Sequence, residues 1–342
     1  MINEMTNDMS DIRADAERAI EYACDAARRA MPTAEMAAVL ETALAMFGQH
    51  GAVRYRGPVQ VPLAVYAAVR GEMRPAVPLA AACGLFCLGL DIGDHLTDEE
   101  LHADWKQHSL ADVQFMMVAL LASLPQQIID RLDAPAEVRA QMHGMIARSL
   151  LEMLSGQQQD VQTAGRPDAR AASVAASIAA KAGEAGALFA SLAARLAGAY
   201  ADRIEHYAAM GRAFANATQL TSDCHDLFGA PHSRDLAAGT RTLPIALALE
   251  RLQGPARDEF VALLDRARTE TDAAAKVRER IVEAGALPLC AFRIEVYRQR
   301  ALTALAAADA GEPGGRWLHA MISLCAWPGR AGTAGPEAIA GA

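Results

Sequence analysis

The amino-acid sequence predicts an all-α protein, and three observations carry that prediction. Apolar residues recur at helical spacing along nearly the whole chain. Alanine is abundant, aromatic residues make up only 5%, and β-branched runs are scarce, a mixture that favours helices packed closely through small side chains. No strand–turn–strand pattern and no repeat of fixed period is present, which sets aside a solenoid of helix pairs. With 342 residues, 52% of them hydrophobic, the chain can bury a sizeable core, and one large helical domain is the simplest architecture.

Taken in order, the first stretch, MINEMTNDMSDIRADAERAI, is polar and acidic and lacks the basic-then-apolar order of a signal peptide. Its helix, 11–30, is expected as an N-terminal extension covering residues 1–30, ahead of a helical domain over 31–327. MPTAE separates it from a helix over 34–48, and RYRGP separates that from one over 59–70. GEMRP precedes the most apolar helix, 76–94, and an acidic stretch, 95–108, follows it. LDAPAE divides helices over 109–124 and 135–160. TAGRPDA leads into 171–199, then 202–227 follows. GAPHSRD leads into 241–253, and LQGPA into 255–268. Helices over 271–285, 288–308 and 315–325 complete the domain. The breaks are Pro, Gly or Asp clusters of ordinary loop chemistry. The tail PGRAGTAGPEAIAGA, 328–342, is expected to be disordered.

Charge and cysteine usage narrow the function. A net charge of −9 argues against a nucleic-acid partner, because phosphate binding needs a basic face. The six cysteines contain no CxxC pair, and Cys83 and Cys87 lie one helical turn apart in an apolar segment. Buried thiols in a reducing compartment are the expectation. The apolar run AVPLAAACGLFCLGL is shorter than the roughly 20 residues that span a bilayer, so no transmembrane segment is expected and the protein is placed in the cytoplasm.

At the end of that run, GLFCLGLDIGDHLTDEEL carries Asp91 and Asp94, three residues apart on one helical face. Alone, the pair is compatible with a helix end meeting water. Two carboxylates at the negative pole of a helix also repel each other and the dipole, and a cation relieves both. A second pair, Asp223 and Asp226 in QLTSDCHDLFG, ends another long small-residue helix, with Gln219 one turn before Asp223. Two such pairs on separate helices suit several cations around one diphosphate. SGQQQDVQ places Asp160 after Gln157. IAAKAGEAGALF sets Lys181 among small neighbours, where it is either a snorkelling surface residue or a point charge for a diphosphate. SRDLAAGTRTLP brings Arg234, Asp235 and Arg241 into a loop, where arginine is usually solvated but here follows the second pair closely.

In this order the segments resemble the polyprenyl synthetase (trans-prenyltransferase) family of the class I isoprenoid synthase fold. The family's DDxxD, GQxxD, KTxxLF, FQxxDDxxD and KDxxxGKxTLP motifs correspond to LDIGD (90–94), GQQQD (156–160), KAGEAGALF (181–189), TQLTSDCHD (218–226) and RDLAAGTRTLP (234–244). Gly211, Ala215 and Ala217 match the helix before the second aspartate motif, and Asp112 a helix start. The resemblance spans roughly residues 40 to 250. It implies a single-domain helical bundle with a central apolar cavity, and a homodimer. It also implies Mg²⁺ on Asp91, Asp94, Asp223 and Asp226, bridging an allylic prenyl diphosphate. Lys181, Gln219 and Arg241 would act at that diphosphate, with Gln157 nearby. Arg54 and Arg56 would hold a second diphosphate, and Phe86 and Cys87 would form the cavity floor.

The sequence also departs from the pattern. Leu90 and Ser222 replace the leading aspartates, and Ala182 replaces the Thr of KT. Glu99, Glu100 and Leu101 stand where the family has Arg-Arg-Gly. GAVRYRGP (51–58) keeps Arg54 and Arg56 but has Val53 at the lysine position, and the GK of the last motif is Gly239-Thr240. The allylic site keeps more of its parts than the isopentenyl site. Prenyl transfer to an acceptor is the leading expectation, and a terpene synthase acting on one prenyl diphosphate is the alternative. Transfer to a peptide or aromatic acceptor, and an inactive regulatory family member, also remain open.

Overall fold

The computed structural model describes residues 10–50, 56–97, 103–229 and 232–325, and among them every regular element is helical. Helix α1 (Ser10–Ala30) leads to α2 (Ala34–His50), α3 (Arg56–Arg70) and α4 (Val77–Thr97). A long helix follows, made of α5 (Leu110–Val118), a π-turn (Ala119–Ser123) and α6 (Leu124–Asp130). Then comes α7 (Ala136–Thr163). The next helix is α8 (Ala171–Ile178), a second π-turn (Ala179–Gly183) and α9 (Glu184–Leu196). After α10 (Ala201–Gly229) come a short α11 (Arg234–Ala238), α12 (Leu243–Arg251), α13 (Gly254–Arg266), α14 (Thr271–Glu283), α15 (Ala286–Ala307) and α16 (Gly314–Leu324).

Most predicted helices are present with small shifts at their ends, and the two π-turns account for the larger differences. The helix expected to stop at 124 runs on to Asp130, because Pro125 falls in the first turn after the π-turn, where its missing N–H costs nothing. The helix expected over 171–199 is continuous to Leu196 but carries the second π-turn at its middle. The segment before 241 holds the short α11, capped by the Ser233 hydroxyl accepting from the Leu236 N–H at 3.1 Å.

Packing binds these helices into one bundle. Helix α1, expected as an extension, is built into the main core: Ile12, Ala16, Ala19, Ala23 and Ala27 are buried and it packs on α4 and α3. Helix α4 is the central element, with Leu79 to Phe86 and Leu88 buried. Two helices, Arg74–Thr97 and Leu110–Asp130, are long and apolar enough to cross a membrane. Their most apolar stretches are 67% and 50% buried inside the bundle, the pattern of core helices. The helix exceeds the apolar run because Asp91, Asp94 and Thr97 continue it.

Helices α9 and α10 approach each other very closely. A Cβ on Gly186 would strike the Gly211 carbonyl oxygen, and one on Gly211 would strike the Gly186 carbonyl oxygen. The two helices therefore touch backbone to backbone. Replacing Gly186 by Ala is expected to destabilise the fold by about 3 kcal/mol, since an added methyl has no flexible neighbour to displace. Urea unfolding of Gly186→Ala beside Gly57→Ala, a position with open space around it, checks this. Equal midpoints for the two variants would count against the contact.

Candidate active site

Four helices bring the acidic motifs together. The last two turns of α4 carry Asp91 and Asp94, the last turns of α7 carry Asp160, the π-turn before α9 carries Lys181, and α10 carries Asp223. Lys181 Nζ lies 2.8 Å from Asp160 Oδ2 and 3.4 Å from Asp94 Oδ1. One ammonium thus bridges two carboxylates from different helices. Gly156 makes this possible. A Cβ there would come 2.8 Å from the Ala180 Cβ and 2.9 Å from the Lys181 Cγ, so the lysine stem passes over a bare glycine. Ser177 Oγ donates to the Gly156 carbonyl at 2.9 Å and fixes the same approach.

Burial and charge set the protonation of these groups. Burial alone would lower the Lys181 pKa, but Asp94 and Asp160 outweigh it and hold the ammonium above its ordinary value. Asp94 is raised, first by burial and then by Asp91 and Asp160, against the pull of Lys181. Its side chain nevertheless remains 45% open, so a solvated ligand can reach it. Asp223 is buried, and burial pushes it up to about 7, with a hydrogen bond from Gln219 opposing the rise and Asp160 adding to it. Gln219 Nε2 donates to Asp223 Oδ1 at 2.8 Å.

Gln157 stands in the same layer but not on the acids. Its Nε2 donates to Thr97 Oγ1 at 2.8 Å, and Thr97 Oγ1 donates to the Asp94 carbonyl at 2.9 Å. It therefore ties α7 to the turn of α4 that carries the first aspartate pair. Thr97 was not singled out in the sequence, although its position three residues after Asp94 is the signal that finds it.

Two expected site residues have other work in the structure. Asp226 accepts from the Ser233 hydroxyl and from the backbone N–H groups of Arg234 and Asp235, both at 3.2 Å, and the Arg234 guanidinium lies 3.7 Å away. Its carboxylate is engaged at the start of α11 rather than open to a cation. Arg241 is buried and donates to the carbonyls of Arg166 at 3.0 Å and Gly239 at 3.1 Å. It joins two loops, helped by the Gly165 N–H donating to the Gly239 carbonyl at 3.0 Å. Its guanidinium is thus spent on backbone carbonyls, where the sequence placed it at a diphosphate. Arg54, Glu99, Glu100 and Leu101 lie outside the described residues, and Arg56 opens α3.

Beneath the acids the interior is apolar and almost closed. Phe86 is buried and meets Phe189 edge to face, with centroids 6.1 Å apart. The cavity they line with Leu79, Ile146 and Leu192 measures about 10 Å³, room for one water-sized sphere. The expected central cavity is therefore narrow in this structure, because two aromatic rings fill it. Half-buried Cys87 packs beside Phe86 against the core. A roomier groove of about 680 Å³ lies elsewhere, between α10 and α15, and holds none of the acidic pairs.

Among the described residues no cluster of three His, Cys, Asp or Glu side chains is assembled as a metal site. The acids meet a lysine instead. Mg²⁺ asks for less than such a cluster: it commonly takes one or two carboxylates and completes its shell with phosphate oxygens and water. The partly open carboxylates of Asp94 and Asp160 suit that pattern.

The helical bundle has the all-α isoprenoid synthase fold, as comparison with known proteins shows. The model for the polyprenyl synthetase family matches residues 101–281, over half of the chain. The chain belongs to the polyprenyl synthetase family, a class of isoprenoid synthase enzymes with prenyl diphosphate chemistry. A polyprenyl synthetase from Streptomyces coelicolor shares the fold at 19% identity and a TM-score of 0.78, covering 92% of this chain and 98% of that one. A geranylgeranyl pyrophosphate synthetase from Pyrococcus horikoshii superimposes with a TM-score of 0.81 at 17% identity, over 94% and 98% of the two chains. A geranylgeranyl pyrophosphate synthase from Corynebacterium glutamicum, solved with isoprenyl diphosphate and magnesium, gives 0.78 at 18% identity, over 92% and 97%. No curated protein matches the sequence significantly.

The raised Asp223 carboxyl has a consequence for stability. An unfolded Asp releases its proton near pH 4, whereas the folded one holds it to about pH 7. Within that window the native state binds the extra proton, so stability falls as pH rises. Urea midpoints between pH 4 and pH 7 are expected to decline more steeply for the natural protein than for Asp223→Asn. Parallel slopes would show that Asp223 titrates normally.

Proposed function

We propose that the protein ionises an allylic prenyl diphosphate with Mg²⁺ and passes the prenyl group to an acceptor. One observation carries this reading: the Lys181 ammonium stands between carboxylates of α4 and α7 at the rim of an apolar interior. Asp94 and Asp160 would hold the metal, with Asp91 beside them, and Lys181 would turn from its carboxylates to the diphosphate oxygens. Mg²⁺, when bound, acts as a Lewis acid on the leaving diphosphate. Asp223 and Gln219 border the same space from α10. The apolar walls around Phe86 and Phe189 keep water from the allylic cation until the acceptor captures it, and the rings must give way to admit a prenyl chain.

A terpene synthase is the second reading, favoured by the charge inversion at Glu99 and Glu100 and by Val53, which remove positive groups an isopentenyl diphosphate would use. Incubation with Mg²⁺ and geranyl, farnesyl or geranylgeranyl diphosphate, with and without isopentenyl diphosphate, separates the readings. Transfer predicts longer diphosphates only when isopentenyl diphosphate is present. Hydrocarbon or alcohol formed without it would favour the synthase. No product in any mixture, from the natural protein or from Lys181→Ala, would overturn both.

The homodimer implied by the family likeness has a candidate surface. Leu110, Phe115 and Val118 on α5 and Leu151 and Leu154 on α7 are exposed, Phe115 by 67% and Leu151 by 70%. Helix α5 runs on through the π-turn into α6, and one short turn leads from α6 to α7. Such a patch is large for a surface that meets only water. Phe115→Glu with Leu151→Glu is expected to convert a dimer to a monomer in light scattering, with the circular dichroism unchanged. An unaltered dimer mass would place the interface elsewhere. We also place the enzyme in the cytoplasm.

A further inference from the structure

Lys181 does not sit on a regular helix turn. It is the middle residue of the π-turn Ala179–Gly183, which joins α8 to α9. A π-turn takes in an extra residue, and one residue rotates a helix by about 100°, so the turn decides which neighbour the lysine faces. Two neighbours grip it. On the α7 side, Gly156 leaves room for Ala180 and for the lysine stem. On the α10 side, Gly183 faces the amide of Asn216: a Cβ on Gly183 would come 2.6 Å from Asn216 Oδ1.

Asn216 is unusual in that place. It is only 5% exposed, and its Oδ1 has no hydrogen-bond partner among the described residues. A buried amide oxygen left unpaired is unfavourable, so pairing does not account for an asparagine here. Its flat amide lying against a bare glycine does. Asn216 precedes Asp223 by two turns of α10 and so stands on the side of that helix that meets the lysine turn.

We propose that Asn216 is a positioning residue. With Gly183 it sets the gap between the π-turn and α10, and so aims Lys181 at the Asp94 and Asp160 carboxylates. The inference rests on the reading that Lys181 meets the diphosphate. It concerns neither the metal nor the acceptor.

The glycine and the asparagine are complementary, which supplies the test. Gly183→Ala adds a methyl that meets the amide, Asn216→Ala leaves a gap, and the double variant fills the gap with that methyl. Dissociation constants for inorganic pyrophosphate with Mg²⁺ are measured for these three variants, for Lys181→Ala and for Lys181→Ala/Asn216→Ala, with Tm for each. Turnover of an allylic diphosphate gives kcat and KM separately. Each single variant is expected to weaken pyrophosphate about tenfold, as displacement of a positioned group does. The double variant is expected to return to within about twofold of the natural protein, and Asn216→Ala to add nothing once Lys181 is gone. Single variants that bind normally while Lys181→Ala does not would overturn the inference and leave the reading of Lys181 intact. So would a double variant that keeps the natural Tm yet binds no better than the singles, or an Asn216→Ala effect that persists without Lys181. Normal binding and turnover by Lys181→Ala would overturn the reading itself, and this inference with it.

Discussion

Gly186 and Gly211 place the backbones of two helices in direct contact, and the site depends on that contact. Helix α10 carries Asp223 and the stretch leading to α9 carries Lys181, so the spacing of these helices fixes the separation of their charges. Ordinary side chains would hold the axes 8–10 Å apart. Paired glycines let them come closer, and Ala215 and Ala190 keep the neighbouring surface small. Gly156 repeats the device against Ala180 and the lysine stem. The abundance of alanine is therefore more than helix propensity. Small residues at the crossings let three polar groups from three helices share one space.

That space carries more negative charge than its lysine neutralises. Asp160 acts on both Asp94 and Asp223, Asp91 acts on Asp94, and Lys181 is the cation that touches Asp94 and Asp160. The structure answers in two ways. It keeps the ammonium charged, because two carboxylates outweigh its burial. It also keeps Asp223 protonated toward neutral pH, because a buried carboxylate beside other carboxylates is costly to ionise. On the proposed reading, surplus carboxylate at the open end, where Asp94 meets solvent, would give a divalent cation a reason to bind.

Much of this was legible in the sequence, and the rest was not for identifiable reasons. Helical periodicity located the helices, and the two D-x-x-D pairs fall toward the C-terminal ends of α4 and α10. Lys181 was found because a lysine among small residues is conspicuous. The π-turns were invisible, since a helix with one extra residue has almost the same pattern as one without. The fate of Asp226 was hidden too, because spacing places a carboxylate on a face but not its donors. A serine seven residues later, opening a short helix, was the signal. Arg241 misled for a similar reason: a loop arginine reads as solvated or ligand-binding until the carbonyls around it are known.

These placements make the site asymmetric. On the α4 and α7 side, Asp94 and Asp160 keep side chains partly open to solvent. On the α10 side, Ser222 offers no carboxylate, Asp223 is buried and holds its proton, and Asp226 is taken up by α11. Leu90 removes an acid from the first pair as well, but Asp160 approaches from α7 to stand beside what remains. On the proposed reading, a diphosphate would therefore be held through metal on one side and by the Lys181 ammonium in the middle. Little on the α10 side would be left to bind a further cation. On that reading the degenerate motifs leave the open carboxylates on α4 and α7, where Asp94 and Asp160 stand beside a lysine whose aim the helix crossings control.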